Sequence, residues 1–333
     1  MQILKILTLA LISTASLFTI SPAFAADTLK VALVLDKGGK DDKSFNAAAF
    51  EGANKAKKEL GIELKYVEAT DDAAIERMIR SFADKKYDIV IAIGFAMAEG
   101  VKKVAAAFPS VKFALVDSEV ILPNVRSLLF EEHQGSYLVG AIAGLMTKTN
   151  KVGFLGGMDV PLIRRFQMGY EAGVKKTNPK ATVQSSYVGV TAEAWNNPAK
   201  AKELALAQFQ GGADIVFHAA GASGYGVFDA AEDQKKLAIG VDSNQNWVKP
   251  GFVLTSMLKR VDVAVFDVIK EVKDGKFSGG TQRFGLSNKG IDYAVDQHNE
   301  KLLPADVRKK VDAIKAEIEK GKISVPDYYK TKK

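Results

Sequence analysis

Three aspartates, Asp36, Asp117 and Asp242, each follow directly on a short run of aliphatic residues. Such runs predict buried strands, and in open parallel sheets ligands bind beyond the carboxyl ends of the strands. A carboxylate placed there can accept hydrogen bonds from hydroxyl or amino groups. Any one of these aspartates could instead cap a helix or form a turn. Because three aspartates lie at strand ends, binding of a polyhydroxy ligand explains them about as well as helix capping does.

Glycines occupy similar positions after other predicted strands. Gly94, Gly156 and Gly221 come at or shortly after the ends of three of them. Because glycine has no Cβ, the backbone at these positions can approach a ligand closely. The strand ends therefore predict a polar ligand that backbone groups also contact.

The segment 41–46, with the sequence DDKSFN, follows the turn after the first predicted strand and leads into a helical pattern. Asp42 precedes Ser44 and Asn46, which flank Phe45 at the predicted N-terminus of the helix. Polar groups and an aromatic face arranged in this way could contact a flat ring by edge and face together. Phe45 could also be the first core residue of the helix, and the sequence alone favours that second interpretation.

Trp195 lies in a polar turn, residues 194–198, after a predicted strand. Asn197 and Pro198 fit the N-cap and the first position of the helix that follows. Because a core tryptophan is less expected in such a loop, the position of Trp195 favours contact with a ligand.

Predicted strands alternate with helical patterns through most of the chain. The helical pattern is clear where Ile75, Met78, Ile79 and Phe82 recur at spacings of three and four and form one apolar stripe. Alternation of this kind predicts parallel sheets with helices on both faces. The predicted strands are 29–35, 63–67, 88–93, 112–116, 151–155, 182–188, 215–218, 237–241 and 253–256.

The first 25 residues have the pattern of a secretory signal peptide. Lys5 precedes a short apolar stretch, residues 6–20, and Ala23-Phe24-Ala25 is a small-residue cleavage site. The stretch is too short for a membrane anchor. The sequence has no cysteine, which excludes disulfides, thiolate metal sites and lipid attachment through cysteine. We therefore expect cleavage near Ala25 and a free periplasmic protein that is not a lipoprotein.

The net charge of +7 does not predict a nucleic-acid surface. Lysines and glutamates are interspersed, as in residues 55–59 and 200–203, which is typical of solvated helix faces. Removal of residues 1–25 leaves 308 of the 333 residues, enough for two cores. Two α/β units follow one another, about 26–128 and 129–256, with no Pro-, Ser- or Gly-rich linker between them.

Seven segments, in this order, make the chain resemble the basic membrane protein family of ABC-type solute-binding proteins, whose characterised members include purine nucleoside receptors. The segments are 42–46 (DKSFN), 130–140 (FEEHQGSYLVG), 154–157 (FLGG), 195–205 (WNNPAKAKELA), 219–224 (AAGASG), 239–245 (IGVDSNQ) and 255–261 (TSMLKRV).

The resemblance implies a type I periplasmic-binding-protein fold, with two Rossmann-like α/β lobes, parallel sheets and three inter-lobe crossings. Lobe I is expected to comprise residues 26–128 plus about 257–285, and lobe II residues 129–256 plus about 286–333, with the ligand cleft between them. The implied partners are a small-molecule ligand, such as adenosine, guanosine or inosine, and an ABC permease in the inner membrane. A monomer is expected, with no cofactor and no metal.

The resemblance also implies roles by position. Phe45 and Trp195 would sandwich a purine, and Trp195 stands where phenylalanine is more usual in the family. Asp42 and Asn46 would hydrogen-bond the edge of the base, beside Ser44. The residues implied for the ribose are Asp117, Asp242 and Lys259, with backbone access at Gly221. Two further departures are Asn197 and Asn244, which stand where aspartate is common.

An enzyme, for instance a nucleoside-cleaving hydrolase, is the rival from another class. Such chemistry needs a metal cluster or a poised acid–base set, whereas His133, His218 and His298 are widely separated. The glycine-rich segment 221–226 fits neither nucleotide-binding pattern. A sugar-binding protein of the same fold is the closer alternative, because carboxylates and aromatic rings also serve sugars. A transcriptional regulator would need a DNA-binding headpiece where the predicted signal peptide lies.

Overall fold

The computed structural model describes residues 28–331, apart from the side chain of Asp72. The predicted signal peptide and its cleavage site near Ala25 lie outside these residues.

The described residues form strands that match the predicted alternation. The strands are β1 (Lys30–Leu35), β2 (Glu63–Glu68), β3 (Ile89–Ile93), β4 (Lys112–Val116), β5 (Val125–Phe130), β6 (Lys151–Met158), β7 (Thr182–Gly189), β8 (Ile215–Ala219), β9 (Leu237–Asp242), β10 (Val253–Lys259), β11 (Gly280–Phe284) and β12 (Ile291–Tyr293).

Helices connect most of the strands. They are α1 (Phe45–Leu60), α2 (Asp72–Asp84), α3 (Ala98–Ala107), α4 (Glu132–Met146), α5 (Pro161–Thr177), α6 (Pro198–Gln210), α7 (Gly224–Gln234), α8 (Val261–Lys273), α9 (Ala305–Glu319) and α10 (Tyr328–Thr331). Single 3₁₀ turns lie at Phe95–Met97, Ala192–Trp195 and Gly221–Ser223.

Two six-stranded sheets define two lobes with the same strand pattern. The sheet of lobe I has the order β11-β5-β4-β3-β1-β2, and that of lobe II has the order β12-β10-β9-β8-β6-β7. Neighbouring strands are parallel except for β10 and β12, which are antiparallel. The predicted α/β fold with two Rossmann-like lobes is confirmed.

Within residues 28–331 the chain crosses between the two lobes three times: between β5 and α4, between β10 and α8, and between β11 and β12. The crossings are tied to one another. The backbone N–H of Glu131 donates to the carbonyl of Phe284 (2.7 Å), and that of Arg260 donates to the carbonyl of Gly290 (2.9 Å). The sheet membership supports the proposed lobe boundaries, which stay a proposal.

Burial explains why the central strands were predicted, whereas the edge strands β2 and β7 were predicted although most of their residues are half-buried or exposed. The central strands β1 and β3 are buried on both faces, as is usual in parallel sheets, and they read as continuous apolar runs. β11 is a mostly exposed edge strand and β12 has only three residues. Neither carries an apolar run, so neither was predicted; β5, where two of six positions are only half-buried, was also missed. Among residues 28–331, no helix combines the length and apolar character needed to cross a bilayer.

Candidate functional site

A cavity lies where the carboxyl ends of the two sheets face each other. Eight of the nine predicted site residues line it, and Ser44 lies just behind. From lobe I the lining side chains include Asp36, Asp42, Phe45, Asn46, Phe95 and Asp117. From lobe II and the second crossing they include Phe166, Trp195, Asp242 and Lys259, with Gly221 contributing backbone.

Asp117 and Asp242 enter this cavity from opposite lobes. Asp117 follows the last residue of β4, and Asp242 ends β9, which holds the same place in the other sheet. Both have left-handed backbone conformations, with φ of 70° and 64°. That conformation costs a non-glycine residue roughly 1 kcal/mol, although aspartate tolerates it better than most. Strained residues of this kind cluster at functional sites.

Lys259 is buried at the base of the cavity among carboxylates and aromatic rings. Its Nζ lies 2.6 Å from Asp117 Oδ2 and 3.2 Å from Glu132 Oε1. The ring centroids of Phe45 and Phe130 lie 4.9 and 5.1 Å from the same nitrogen. Burial alone would lower the pKa of Lys259, but the neighbouring carboxylates outweigh it and raise the pKa. The ammonium is therefore charged at neutral pH.

The carboxyl groups around the cavity are harder to ionise than usual. Burial raises the pKa of Asp36 to about 6, against hydrogen bonds from Asn46 and Gly38. Burial likewise raises the pKa of Asp242 to about 6, although Lys259 opposes it. It also raises the pKa of Asp117.

Two carboxylates keep oxygens that a ligand could use. Among the described residues, Asp117 Oδ1 is buried without a hydrogen-bond partner. Both hydrogen bonds to the Asp36 carboxylate, from Gly38 N and Asn46 Nδ2, go to Oδ1. Oδ2 of Asp36 faces Gly94, where a Cβ would lie 3.3 Å away.

Asp42 and Asn46 are occupied by contacts with their own segment. The carboxylate of Asp42 accepts from the backbone N–H groups of Ser44, Asn46 and Ala47 at 2.8–2.9 Å. It thereby satisfies the first N–H groups of α1. The Asn46 amide donates to Asp36 (2.7 Å) and to Asp42 (3.0 Å), and its oxygen accepts from Asp36 N (3.1 Å). Their predicted contacts with the edge of a base stay a prediction.

Ser44 joins the two lobes. It is fully buried, and its hydroxyl donates to Asp242 Oδ2 at 2.6 Å. In return Ser243 Oγ donates to the carbonyl of Ser44 at 3.0 Å. Ser44 therefore holds a cavity carboxylate in place from behind, and its predicted contact with a ligand stays a prediction.

Phe45 and Trp195 line the cavity from opposite lobes. Trp195 ends the 3₁₀ turn of lobe II, and its six-membered ring lies directly on Gly157 of β6, where a Cβ would come within 2.2 Å of Cζ3. Gly221, with φ of 56°, brings its backbone close to the Trp195 carbonyl. Phe95 contacts Trp195 edge-on, with ring centroids 6.3 Å apart.

The sequence indicated Asp36 as a strand-end carboxylate, like Asp117 and Asp242, but gave it no specific role. Two aromatic side chains of this cavity, Phe95 and Phe166, were not predicted as site residues. Phe95 follows Gly94 at another strand end and could have been found in the same way. Phe166 lies within α5, where an apolar residue of a helix carries no sign of a ligand contact.

Arg165 of α5 lies at the centre of a buried ionic cluster at the first crossing. Its guanidinium contacts Glu131 (2.6 Å), Glu132 (2.7 Å) and Asp327 (2.8 Å). Ligand atoms of Glu131, His133 and Asp327 lie within 4.8 Å of one another, a grouping that could hold a metal ion. Both of its carboxylates already bind the Arg165 cation. Burial lowers the pKa of His133 to about 4, so its imidazole is neutral.

Comparisons with known proteins agree with this architecture. Residues 29–328 match the family model described as Bmp, ABC transporter substrate-binding protein PnrA-like. A CD4+ T-cell-stimulating antigen of Listeria monocytogenes is 37% identical over 321 residues, 89% of this chain and 88% of that protein. The ABC transporter nucleoside-binding protein BmpA of Lactococcus lactis is 35% identical over 321 residues, 90% of this chain and 89% of that protein.

A solved ABC transporter solute-binding protein from Aeropyrum pernix has the same fold. It superimposes with a TM-score of 0.83 at 29% identity, covering 90% of this chain and 94% of that chain. The predicted type I periplasmic-binding-protein fold is confirmed.

The prediction that the protein is not a lipoprotein is contradicted. A relative from Pyrococcus abyssi, 35% identical over 284 residues (80% of this chain and 69% of that protein), is named a lipoprotein. Relatives from Pyrococcus horikoshii and Pyrococcus furiosus carry the same designation. The prediction was inferred from the missing cysteine and from a segment outside the described residues, and we withdraw it. An extracytoplasmic location agrees with these names.

The family model and the nucleoside-binding relative imply a small-molecule ligand and a transporter permease as partners. Capturing a substrate for a transporter is not an enzyme's role. The match spans nearly all the described residues, and several relatives exceed 30% identity. The chain belongs to the Bmp family of ABC transporter substrate-binding proteins.

Proposed function

We propose that this protein binds a purine nucleoside in the cavity between its lobes and delivers it to an ABC permease. The observation that carries the proposal is the composition of the cavity. Aromatic rings from both lobes, Phe45 and Trp195, line the same space as carboxylates from both lobes, Asp117 and Asp242. A nucleoside combines a flat base, which suits the aromatic rings, with a hydroxylated sugar, which suits the carboxylates.

The base would lie between Phe45 and Trp195. Stacking of a base on an aromatic side chain contributes about 1–3 kcal/mol.

The edge of the base would be recognised by Asp36. Its Oδ2 is the carboxylate oxygen that the capping network of Asp42 and Asn46 leaves open. Asp42 and Asn46 then position Asp36, through Asn46 Nδ2, in addition to any contact of their own. An amino or imino N–H of a purine is a suitable donor for this oxygen.

The ribose would lie against Asp117, Asp242 and Lys259. Asp117 Oδ1 has no partner among the described residues and can accept from a hydroxyl. Hydrogen bonds to charged groups contribute about 1.5–3 kcal/mol each before desolvation is subtracted. Because these carboxylates come from different lobes, a ribose held by both would favour the closed arrangement. We infer that a monomer in this closed form is what the permease recognises.

A thermal-shift panel tests the class of ligand. A compound that binds only the native state raises its stability. We expect adenosine, guanosine or inosine to raise the midpoint of thermal unfolding, with ribose, galactose and free bases giving smaller shifts. A shift with a sugar and none with any nucleoside would replace this function with sugar binding. Conversion of a nucleoside to base and ribose by the protein would replace it with an enzyme's function.

A further inference from the structure

A second cavity adjoins the cavity between the lobes, which we call the inner cavity. We call the second cavity the outer chamber, because Lys37 at its edge pairs with the exposed Glu193 of the other lobe. Asp36, Gly94, Phe95 and Trp195 line both cavities. The two spaces therefore share a wall.

The wall between the two cavities is formed by an edge-to-face contact between two aromatic side chains, and not by continuous backbone. Phe95 of lobe I meets Trp195 of lobe II with ring planes at 76°, and both side chains are only half-buried. Next to them Gly94 has φ of 111° and no side chain. A Cβ there would lie 3.3 Å from Asp36 Oδ2 and 3.8 Å from Phe45 Cε1. Glycine thus keeps space open along the Asp36 carboxylate, where the cavities meet.

The outer chamber is mainly apolar. Ile75 and Met97 are buried in its lobe I wall, and Ala192 lies on the lobe II side. Its polar residues are few, and Lys37 is already paired with Glu193. Enclosed apolar space next to a polar recognition site is suited to an apolar group attached to the recognised ligand.

We propose that the outer chamber binds an apolar substituent on the exocyclic nitrogen of a purine nucleoside whose base and ribose occupy the inner cavity. The inference rests on the proposed function. It follows from the position of Asp36, which lines both cavities. Its Oδ2, next to Gly94, would accept a hydrogen bond from the edge of the base. A secondary amine keeps one N–H for Asp36 while its substituent extends past Gly94.

Calorimetric titration with matched ligand pairs tests the proposal. The probes are N6-benzyladenosine and N2-benzylguanosine, each compared with its parent nucleoside. We expect the wild-type protein to bind at least one benzylated compound within about tenfold of its parent. Ala192→Phe, which fills the outer chamber, should weaken that compound by about tenfold or more and leave the parent within about twofold.

Ala199→Phe is the matched control, because Ala199 is exposed on α6 of the same lobe and lines neither cavity. It should leave both ligands of the pair unaffected. The inference is overturned if the parents bind but both benzylated compounds bind more than about a hundredfold more weakly. It is also overturned if Ala192→Phe weakens parent and benzylated compound equally. If adenosine, guanosine and inosine all fail to bind wild-type protein, the proposed function is removed, and the inference with it. If inosine alone binds, the proposed function stands and the inference is overturned.

Discussion

Phe45 and Trp195 offer a flat ligand aromatic surfaces from opposite lobes of the cavity. Each is half-buried, and Trp195 is held in place by Gly157 beneath its ring. The face of Trp195 is therefore positioned before a ligand arrives, which lowers the ordering cost of binding.

Truncating either ring tests its contribution. Phe45→Ala and Trp195→Ala should each weaken nucleoside binding by about tenfold or more, since about 1.4 kcal/mol corresponds to a factor of ten. Isothermal titration calorimetry measures the change. Trp247→Ala is the control, because Trp247 is 49% exposed and does not line the cavity. Unchanged affinity in both cavity variants would remove the stacking model.

The buried carboxylate of Asp242, which we propose binds the ribose, destabilises the folded protein at neutral pH. Its pKa rises to about 6 in the folded protein because burial penalises the charged form. Below a pH of about 3.9, the ordinary pKa of aspartate in the unfolded chain, Asp242 is neutral in both states and does not destabilise the folded protein. As the pH rises through about 6, the buried carboxyl must ionise in the folded protein too, and the folded state is destabilised relative to the unfolded state. At neutral pH the folded protein therefore carries an unfavourable charge.

Asp242→Asn should therefore raise the free energy of unfolding at neutral pH by about 1–3 kcal/mol, while weakening nucleoside binding. The asparagine can still accept from the Ser44 hydroxyl. Urea unfolding between about pH 4 and pH 7 should show a smaller decline with pH for the variant than for wild type. Asp41→Asn, at an exposed position, is the control. A variant less stable than wild type at neutral pH would contradict this assignment.

At the scale of elements, the C-terminal segment is joined to the first crossing by α5. Arg165 makes a two-pronged contact with Asp327, Nε to Oδ1 at 2.8 Å and Nη2 to Oδ2 at 3.1 Å. The same guanidinium binds Glu132, which contacts Lys259 in the cavity. A continuous line of buried ion pairs thus runs from the ligand cavity to α10.

Asp327→Ala tests this connection. It should lower the free energy of unfolding by about 1–3 kcal/mol, because Arg165 loses one of its buried partners but keeps two others. Hydrogen exchange should also quicken in residues 325–331. The exposed Lys330→Ala is the matched control and should change stability by less than about 0.5 kcal/mol. If residues 325–331 exchange as slowly in the Asp327 variant as in wild type, the ion pair with Arg165 does not fix this segment.

The sequence predicted the elements that have one clear physical signal. Strands buried on both faces were found because they are continuous apolar runs, and α6 was found from its N-cap Asn197 and its Pro198. β11 and β12 could not be found, since β11 (GTQRF) has a single apolar residue, β12 has only three residues, and both depend on partners far away in the chain. The site shows the same limit. Strand ends identified Asp117 and Asp242, but only the fold shows that Asp42 caps α1 and leaves Asp36 open.

At the scale of the whole molecule, the lobes contact each other directly around the cavity. Ser44 binds Asp242, and Gln245 Nε2 donates to the carbonyl of Lys43 at 3.1 Å. Lys37 and Glu193 pair across the cleft. The structure is therefore a closed arrangement, and these direct contacts would break on opening at the crossings.

A ligand that binds both lobes should shift the population towards this closed form. Small-angle X-ray scattering should show a smaller radius of gyration for nucleoside-saturated protein than for the free protein. The Asp117→Ala variant at the same nucleoside concentration is the control, and it should stay close to the free protein. Identical scattering from free and saturated wild-type protein would contradict ligand-driven closure.

Calorimetric titration with a nucleoside, its free base and ribose tests most directly the claim that one cavity binds both parts of a nucleoside. If one cavity holds both base and ribose, guanosine, inosine or adenosine should bind at least about a hundredfold more tightly than either its base or ribose alone. Equal affinity for a nucleoside and for one of its halves, or binding of ribose without binding of any nucleoside, would contradict the account.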